Sequence, residues 1–294
     1  MKKICTALRV ALLTLGIISG GYGRDGQPLS IMISQEAPAV VRFAAAELQE
    51  YLQRISGQEY PILSDETALP GGGMFLVGQS KYTAALGIPE KFSAEAYIIK
   101  SAGGNLVLAG DDLDQGKSTL LPFDYRTTRK GSLFAVYDYL QKFHGLRWFW
   151  PGTDGEVVPA AEHIVIPEAA DIYAEPAFLW RHIFWVKGTD EYPQEVFDRE
   201  IPLWCMRNQM GLAIGSPWSF AHSWGSLLTN RYFDSHPEYY ALVNGKRTPM
   251  LKPYMGRQVC TSNPAVVQIF ADQIRKDRPQ TDAAIVSISP NDGL

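Results

Sequence analysis

Glu175-Pro176-Ala177-Phe178-Leu179-Trp180-Arg181-His182-Ile183-Phe184-Trp185 sets an arginine and a histidine in the middle of an apolar run of strand length. A plain buried strand has no use for either, whereas a strand whose end lines a polar site does. The stretch therefore reads as the first strand of a second domain. A guanidinium at that place must be paired or face a polar cavity, and the planar fork of Arg181 suits two adjacent hydroxyls or a carboxylate. The competing reading is a structural ion pair with an acid elsewhere in the chain.

Upstream of it the pattern is that of one finished module over residues 24–174. Residues 29–34 read as a strand, and residues 38–55 as a helix with Val41, Ala44, Ala45, Leu48, Leu52 and Ile55 on one face and Ser56-Gly57 as its stop. Strands are expected at 60–63 and 74–77, and a hairpin at 96–100 and 106–109. A second helix over 130–143 stops at Gly145, and a last short strand is expected at 163–166 between Pro159 and Pro167. Interspersed strands and helices imply a small α/β module whose helices cover one face of its sheet. Leu146-Arg147-Trp148-Phe149-Trp150-Pro151-Gly152 carries three aromatics, which reads either as a hydrophobic plug between domains or as a sugar-stacking shelf.

Downstream, strands are expected at 178–185, 210–214 and 283–289, with a helix over 264–277 capped by Asn263 and opened by Pro264. That order is the order of a parallel α/β arrangement. Residues 175–294 amount to fewer than half of the about 250 that a (β/α)8 barrel takes, so the fold class is α/β with a second domain that reads as the first part of a barrel, truncated.

Composition narrows the functions. With 294 residues, 46% of them hydrophobic and 20% charged, the chain is long enough for two globular domains. A net charge of -4 and a pI near 5.8 supply no basic field for nucleic acid. Residues 1–23 read as an export signal, with Lys2 and Lys3 as the basic end, residues 10–18 as the apolar core and Gly21-Tyr22-Gly23 as the cleavage site. That core is too short to span a bilayer. The expectation is a periplasmic or extracellular protein with no stable membrane span after cleavage. Cys205 and Cys260 remain, and the compartment allows a disulfide between them.

Gly110-Asp111-Asp112-Leu113-Asp114-Gln115-Gly116-Lys117-Ser118-Thr119 resembles a phosphate-binding loop only superficially. It has one residue too many between its glycines, three carboxylates inside the loop and Pro122 where a helix should run, so it reads as an acidic surface turn and no nucleotide is expected. No metal or other cofactor is expected either, because His236-Pro237-Glu238 has no partner ligand nearby.

Polar residues that could meet a ligand fall at expected strand ends. His222 lies just past the second strand, in Trp218-Ser219-Phe220-Ala221-His222-Ser223-Trp224, where Trp218 suits the apolar face of a sugar. A histidine bonded within an aromatic cluster explains it equally. Asn291 and Asp292 end the third strand in Ser289-Pro290-Asn291-Asp292-Gly293, where barrel enzymes hold acids, bases and hydroxyl ligands. An Asx turn accounts for the same pair.

These stretches also resemble known families. Ala44-Ala45-Ala46-Glu47-Leu48-Gln49-Glu50-Tyr51-Leu52 with Ile55-Ser56-Gly57, and Ala135-Val136-Tyr137-Asp138-Tyr139-Leu140 with Gly145-Leu146-Arg147-Trp148-Phe149-Trp150-Pro151-Gly152, resemble the amino-terminal domain of α-glucuronidases and β-hexosaminidases. His236-Pro237-Glu238-Tyr239-Tyr240-Ala241-Leu242, Asn244-Gly245-Lys246-Arg247, Cys260-Thr261-Ser262-Asn263-Pro264 and Ser289-Pro290-Asn291-Asp292-Gly293 resemble the bacterial domain-of-unknown-function 4838 family. That family is similar to glycoside hydrolase family 163, which holds endo-β-N-acetylglucosaminidases. The resemblance implies an exported glycoside hydrolase acting on an oligosaccharide or polysaccharide, in which the substrate's own N-acetyl oxygen is the nucleophile, an exception to the two-carboxylate scheme. It implies that Arg181 grips sugar hydroxyls at the end of the first barrel strand, and that the general acid lies beyond Leu294. Two alternatives stand beside it, an α-glucuronidase-like hydrolase of plant polysaccharide and a non-catalytic carbohydrate-binding protein.

Overall fold

The computed structural model describes residues 29–68, 73–116, 118, 120–164, 166–178, 180, 181, 183, 193–212, 218, 219, 222–250, 258–277 and 285–291. The expected export signal lies outside the described residues. Two compact units divide the chain, Met1–Ile214 and Gly215–Leu294. Relative to the division expected after residue 174, the next strand and helix pack with the first unit.

The first unit runs β1 (Ser30–Ile33), α1 (Ala39–Ser56), β2 (Ile62–Ser64), β3 (Met74–Val77), α2 (Lys81–Ala85), β4 (Tyr97–Ala102) and β5 (Asn105–Gly110). A ribbon of β6 (Asp112–Leu113) and β7 (Arg129–Lys130) leads into α3 (Gly131–His144), and a second ribbon, β8 (Arg147–Trp148) with β9 (Glu156–Val157), precedes β10 (Asp171–Ala174). Six of these strands form one sheet in the order β10-β4-β5-β3-β1-β2. β1 is parallel to β2 and β3, and β3 to β5, while β4 and β10 run antiparallel. The unit is therefore mixed α/β with a sheet rich in parallel pairs.

Both faces of that sheet are covered, not the single face expected. Ile31, Phe75, Ile99 and Leu108 pack with Leu48, Leu52 and Val136 of α1 and α3, and Met32, Leu76, Ile98 and Val107 pack on the other side with Ile88, Tyr82 and Leu86. β1 and β3 are buried at every position. Strands that are apolar throughout must bury both sides, at about 1.5–3 kcal/mol for each large side chain. The expected strand at 163–166 is absent among its described residues, with Ile164 buried in the larger cluster. Pro167 cannot donate to a ladder, so pairing with β4 begins after it, where the Ser101 amide donates to Ala170 O.

The helix ends are set by distant residues as well as local ones. Gly57, at φ 74, closes α1 with its amide on Gln53 O, a left-handed place that favours glycine. Pro38 and Lys130, which precede α1 and α3, make no side-chain cap. The acidic loop supplies the caps instead. Asp114 accepts from the amides of Ala39 and Val40 at 2.6 and 3.0 Å, and Asp112 accepts from the amide and hydroxyl of Ser132 at 3.0 and 2.5 Å. Asp111 pairs with Arg129 at 3.0 Å. What reads in sequence as an acidic surface turn is a structural capping element, with carboxylates at the positive ends of two helices.

After β10 come β11 (Trp180–Arg181), α4 (Gln194–Arg207) and β12 (Gly211–Leu212). β11 and β12 pair antiparallel, where a parallel order was expected. The chain reverses directly after α4, with Gln209 at φ 55 and the Met210 amide on Cys205 O. α4 was not expected from the sequence, where the stretch reads as a long connection, and it carries Pro202 inside it. Its last turn is held by Trp204 Nε1 on Trp148 O at 2.9 Å and by Arg207. Arg207 donates to Glu47 at 3.2 Å and to Glu156 at 2.7 Å, and all three side chains are buried. Tyr137 and Tyr51 donate to the same two carboxylates, and burial raises both phenols well above their usual range, keeping them donors.

The second unit contains β13 (Trp218–Ser219), α5 (Trp224–Leu227), the hairpin of β14 (Leu242–Val243) and β15 (Lys246–Arg247), α6 (Pro264–Asp277) and β16 (Ile285–Val286). Leu228, Tyr240, Met250, Val259 and Val266 form its core. Asn263 caps α6 as expected, with its side-chain oxygen on the Ala265 amide at 3.0 Å. β13 and β16 pair in parallel. Among the described residues no helix is long and apolar enough to cross a membrane.

Candidate functional site

Three of the residues expected to meet substrate have described surroundings, Arg181 in the first unit and His222 and Asn291 in the second. In the first unit, Arg181 donates through Nη2 to Glu95 at 2.5 Å, through Nε to Gln209 O at 2.8 Å and through Nη1 to Phe178 O at 2.7 Å. The other oxygen of Glu95 accepts from Lys130 at 3.0 Å, and Lys130 also donates to Tyr125 O and Thr128 O. Glu95 and Lys130 are fully buried. Burial pulls the Lys130 ammonium below its usual range, against the raising effect of Glu95. Glu95 sits at φ 56, and a Cβ at Gly211 would come within 2.6 Å of its carboxylate. The arrangement holds three charges in a closed network and seats β11 on the first unit. The acid that sequence reading left open is Glu95.

In the second unit, the parallel register of Trp218 with Ile285 and Ser219 with Val286 carries the two chains onward side by side. His222 and Ser289 then form a further parallel bridge. His222 Nδ1 lies 2.6 Å from Pro290 O. A carbonyl can only accept, so Nδ1 carries a proton, which makes Nε2 the acceptor of the neutral tautomer on an exposed side chain. Trp224 Nε1 donates to Ile288 O at 2.8 Å, and the Ser223 amide to Ser289 O at 3.1 Å. Asn291 is buried. Its side-chain oxygen accepts from the Gly225 amide at 3.3 Å, and its backbone exchanges two hydrogen bonds with the Gln258 amide group.

The structure thus brings His222 and Asn291 to one edge, at the carboxyl ends of neighbouring parallel strands. Trp218 lies in β13, and Asp292 lies outside the described residues. Sequence reading missed Ser223, Trp224 and Gln258 as the groups that tie this edge together. Gln258 is 33 residues from Asn291, and no local pattern announces the pair. The edge offers an imidazole nitrogen as acceptor, with Ser289 bridged to His222 and Ser223 next in sequence.

Among the described residues no group of three or more His, Cys, Asp or Glu could hold a metal ion. Cys205 and Cys260 are both free thiols. Burial pushes Cys205 up to about 11, while the Ser262 hydroxyl draws Cys260 below its usual range.

Residues 150–294 match the family model described as Domain of unknown function (DUF4838). No curated protein matches the chain. Among solved structures, one titled "A novel family GH115 4-O-Methyl-alpha-glucuronidase, BtGH115A, with specificity for decorated arabinogalactans" is similar at 18% identity and a TM-score of 0.36, over 52% of this chain and 18% of that one. The chain spans less than a fifth of that protein's length, and a likeness so slight carries nothing about activity.

Proposed function

Starting from the match of residues 150–294 to the DUF4838 family model, we propose that the chain is part of an exported carbohydrate-active protein that meets sugar at the edge built by His222, Ser289 and Asn291. The observation that carries this reading is the parallel pairing of β13 with β16, which sets His222 and Asn291 at the carboxyl ends of adjacent strands. Ligands of parallel α/β architectures bind at that end. In this reading Nε2 of His222 accepts from a sugar hydroxyl. Arg181 serves as the ion pair that seats β11, because its guanidinium is already engaged by Glu95 and two carbonyls.

The substrate class that the sequence resemblance favours is an N-acetylglucosamine-containing glycan, cleaved with the substrate's acetamido group as nucleophile. A glucuronyl polysaccharide is the second reading. Calorimetric titration of the wild-type chain and His222→Ala with chitotetraose and with glucuronoxylan decides between them. Loss of one sugar hydrogen bond should weaken binding of the preferred probe roughly tenfold, with the melting temperature lowered only by the loss of the bond to Pro290 O. Equal affinity in the two proteins removes His222 from the site.

A further inference from the structure

Phe149 and Trp150 are 70% and 50% exposed, while Trp148 beside them is buried. Two adjacent large aromatics left in water forgo the stabilisation of burial, and contiguous exposed apolar surface of this kind marks binding sites. The loop that carries them is closely built. Trp148 is pinned by Nε1 on the Tyr51 hydroxyl at 2.8 Å, and its carbonyl accepts from Trp204 and Asn208. The Phe149 amide donates to Gly155 O at 2.8 Å and the Gly155 amide to Gly152 O at 3.2 Å, which closes the turn between β8 and β9. Gly155 lies so close to Trp150 that a Cβ there would come within 2.1 Å of the Trp150 carbonyl. The fold fixes the backbone under these two rings and leaves the rings outside.

We infer that Phe149 and Trp150 form a saccharide-binding shelf on the first unit, separate in sequence from the His222 edge and resting on the carbohydrate reading proposed above. Size argues for this occupant over a protein. Fully covered, such rings bury roughly 150–250 Å² each, so at their exposure the pair offers roughly 200–300 Å². A stable interface between copies of the chain takes about 800 Å² per partner. The face of one or two pyranose rings is of the smaller size, and its axial hydrogens stack on aromatic planes. Thr153 and Asp154, exposed in the same turn, supply a hydroxyl and a carboxylate for the ring hydroxyls. The net charge of -4 disfavours nucleobases, whose phosphates would be repelled.

The test is titration of the whole chain with chitotetraose and glucuronoxylan in wild type, Trp150→Ala, Phe149→Ala, Trp150→Phe and His222→Ala, with melting curves and sedimentation alongside. The shelf predicts that Trp150→Ala and Phe149→Ala each weaken binding roughly threefold to tenfold, that Trp150→Phe stays within about threefold of wild type, and that the melts of these three variants do not move. Wild-type affinity in both alanine variants, with loss in His222→Ala, overturns the shelf and leaves the carbohydrate reading standing. Absence of binding by wild type to either probe sinks the carbohydrate reading and the shelf with it. A wild-type dimer that Trp150→Ala dissolves also overturns the shelf, since its occupant is then a second copy.

Discussion

The first unit and the unit of residues 215–294 hold their parts in place by different means. In the first, buried charges do the tying: Arg207 between Glu47 and Glu156, and Glu95 between Lys130 and Arg181. In the second, neutral groups reach backbone carbonyls: His222 to Pro290, Trp224 to Ile288, Asn230 to Met250 and Gln258 to Asn291. Removing one member of a buried charge network strands the others, whereas a neutral hydrogen bond is lost singly. The first unit is therefore built to fail as a whole and the second to yield bond by bond, which suits a surface that exchanges hydrogen bonds with a ligand.

Arg207→Met breaks the comparison at its strongest point. It leaves the Glu47 and Glu156 carboxylates without their shared guanidinium and should lower stability by about 3–5 kcal/mol, read from urea unfolding. Adding Glu47→Gln to the same chain should recover part of the loss. If Arg207→Met costs no more than a surface substitution, the charge network is not what seats α4. In the second unit, Asn230 clamps the Met250 backbone through both its amide atoms, at 2.6 and 2.9 Å. Asn230→Ala should cost about 1–3 kcal/mol, and a larger loss than in Arg207→Met would reverse the contrast.

The smallest effect is one of pH. Burial pushes Asp112 up to about 7, against the lowering by the Ser132 hydroxyl and amide. A carboxyl whose folded value lies above its unfolded one holds its proton more firmly when folded. Its contribution is complete below the ordinary value of 3.8 and is lost as pH rises towards about 7. The stability difference between wild type and Asp112→Asn should therefore move against wild type from pH 4 to pH 7. A difference that is flat, or that grows in favour of wild type, would show that the capping bonds outweigh burial.

The sheet module was legible because its signals are local. The helical spacing of Val41, Leu48 and Leu52 and the apolar runs at 74–77 and 106–109 point to elements that the structure contains. What escaped reading is made by residues far apart. Asp114 looks like surface until Ala39 and Val40 stand beside it, and Arg181 looks like a ligand contact until Glu95, 86 residues earlier, takes it. α4 was not read, and Pro202 inside it is a break by local rule that the Arg207 and Trp204 anchors override. Asn291 was legible as a strand-end polar residue, whereas His222 was read as following the strand at 210–214 and instead follows β13, which was not expected. Their meeting depends on β13 lying against β16, which no spacing along the chain encodes.

The cap on α1 also fixes an order of events during synthesis. Its amides at Ala39 and Val40 wait for a carboxylate 75 residues downstream, which a ribosome adding about 5–20 residues each second delivers roughly 4–15 s later. Through that interval the first turn of the helix has no Asp114 carboxylate to close it. Asp114 is the residue whose arrival ends that interval.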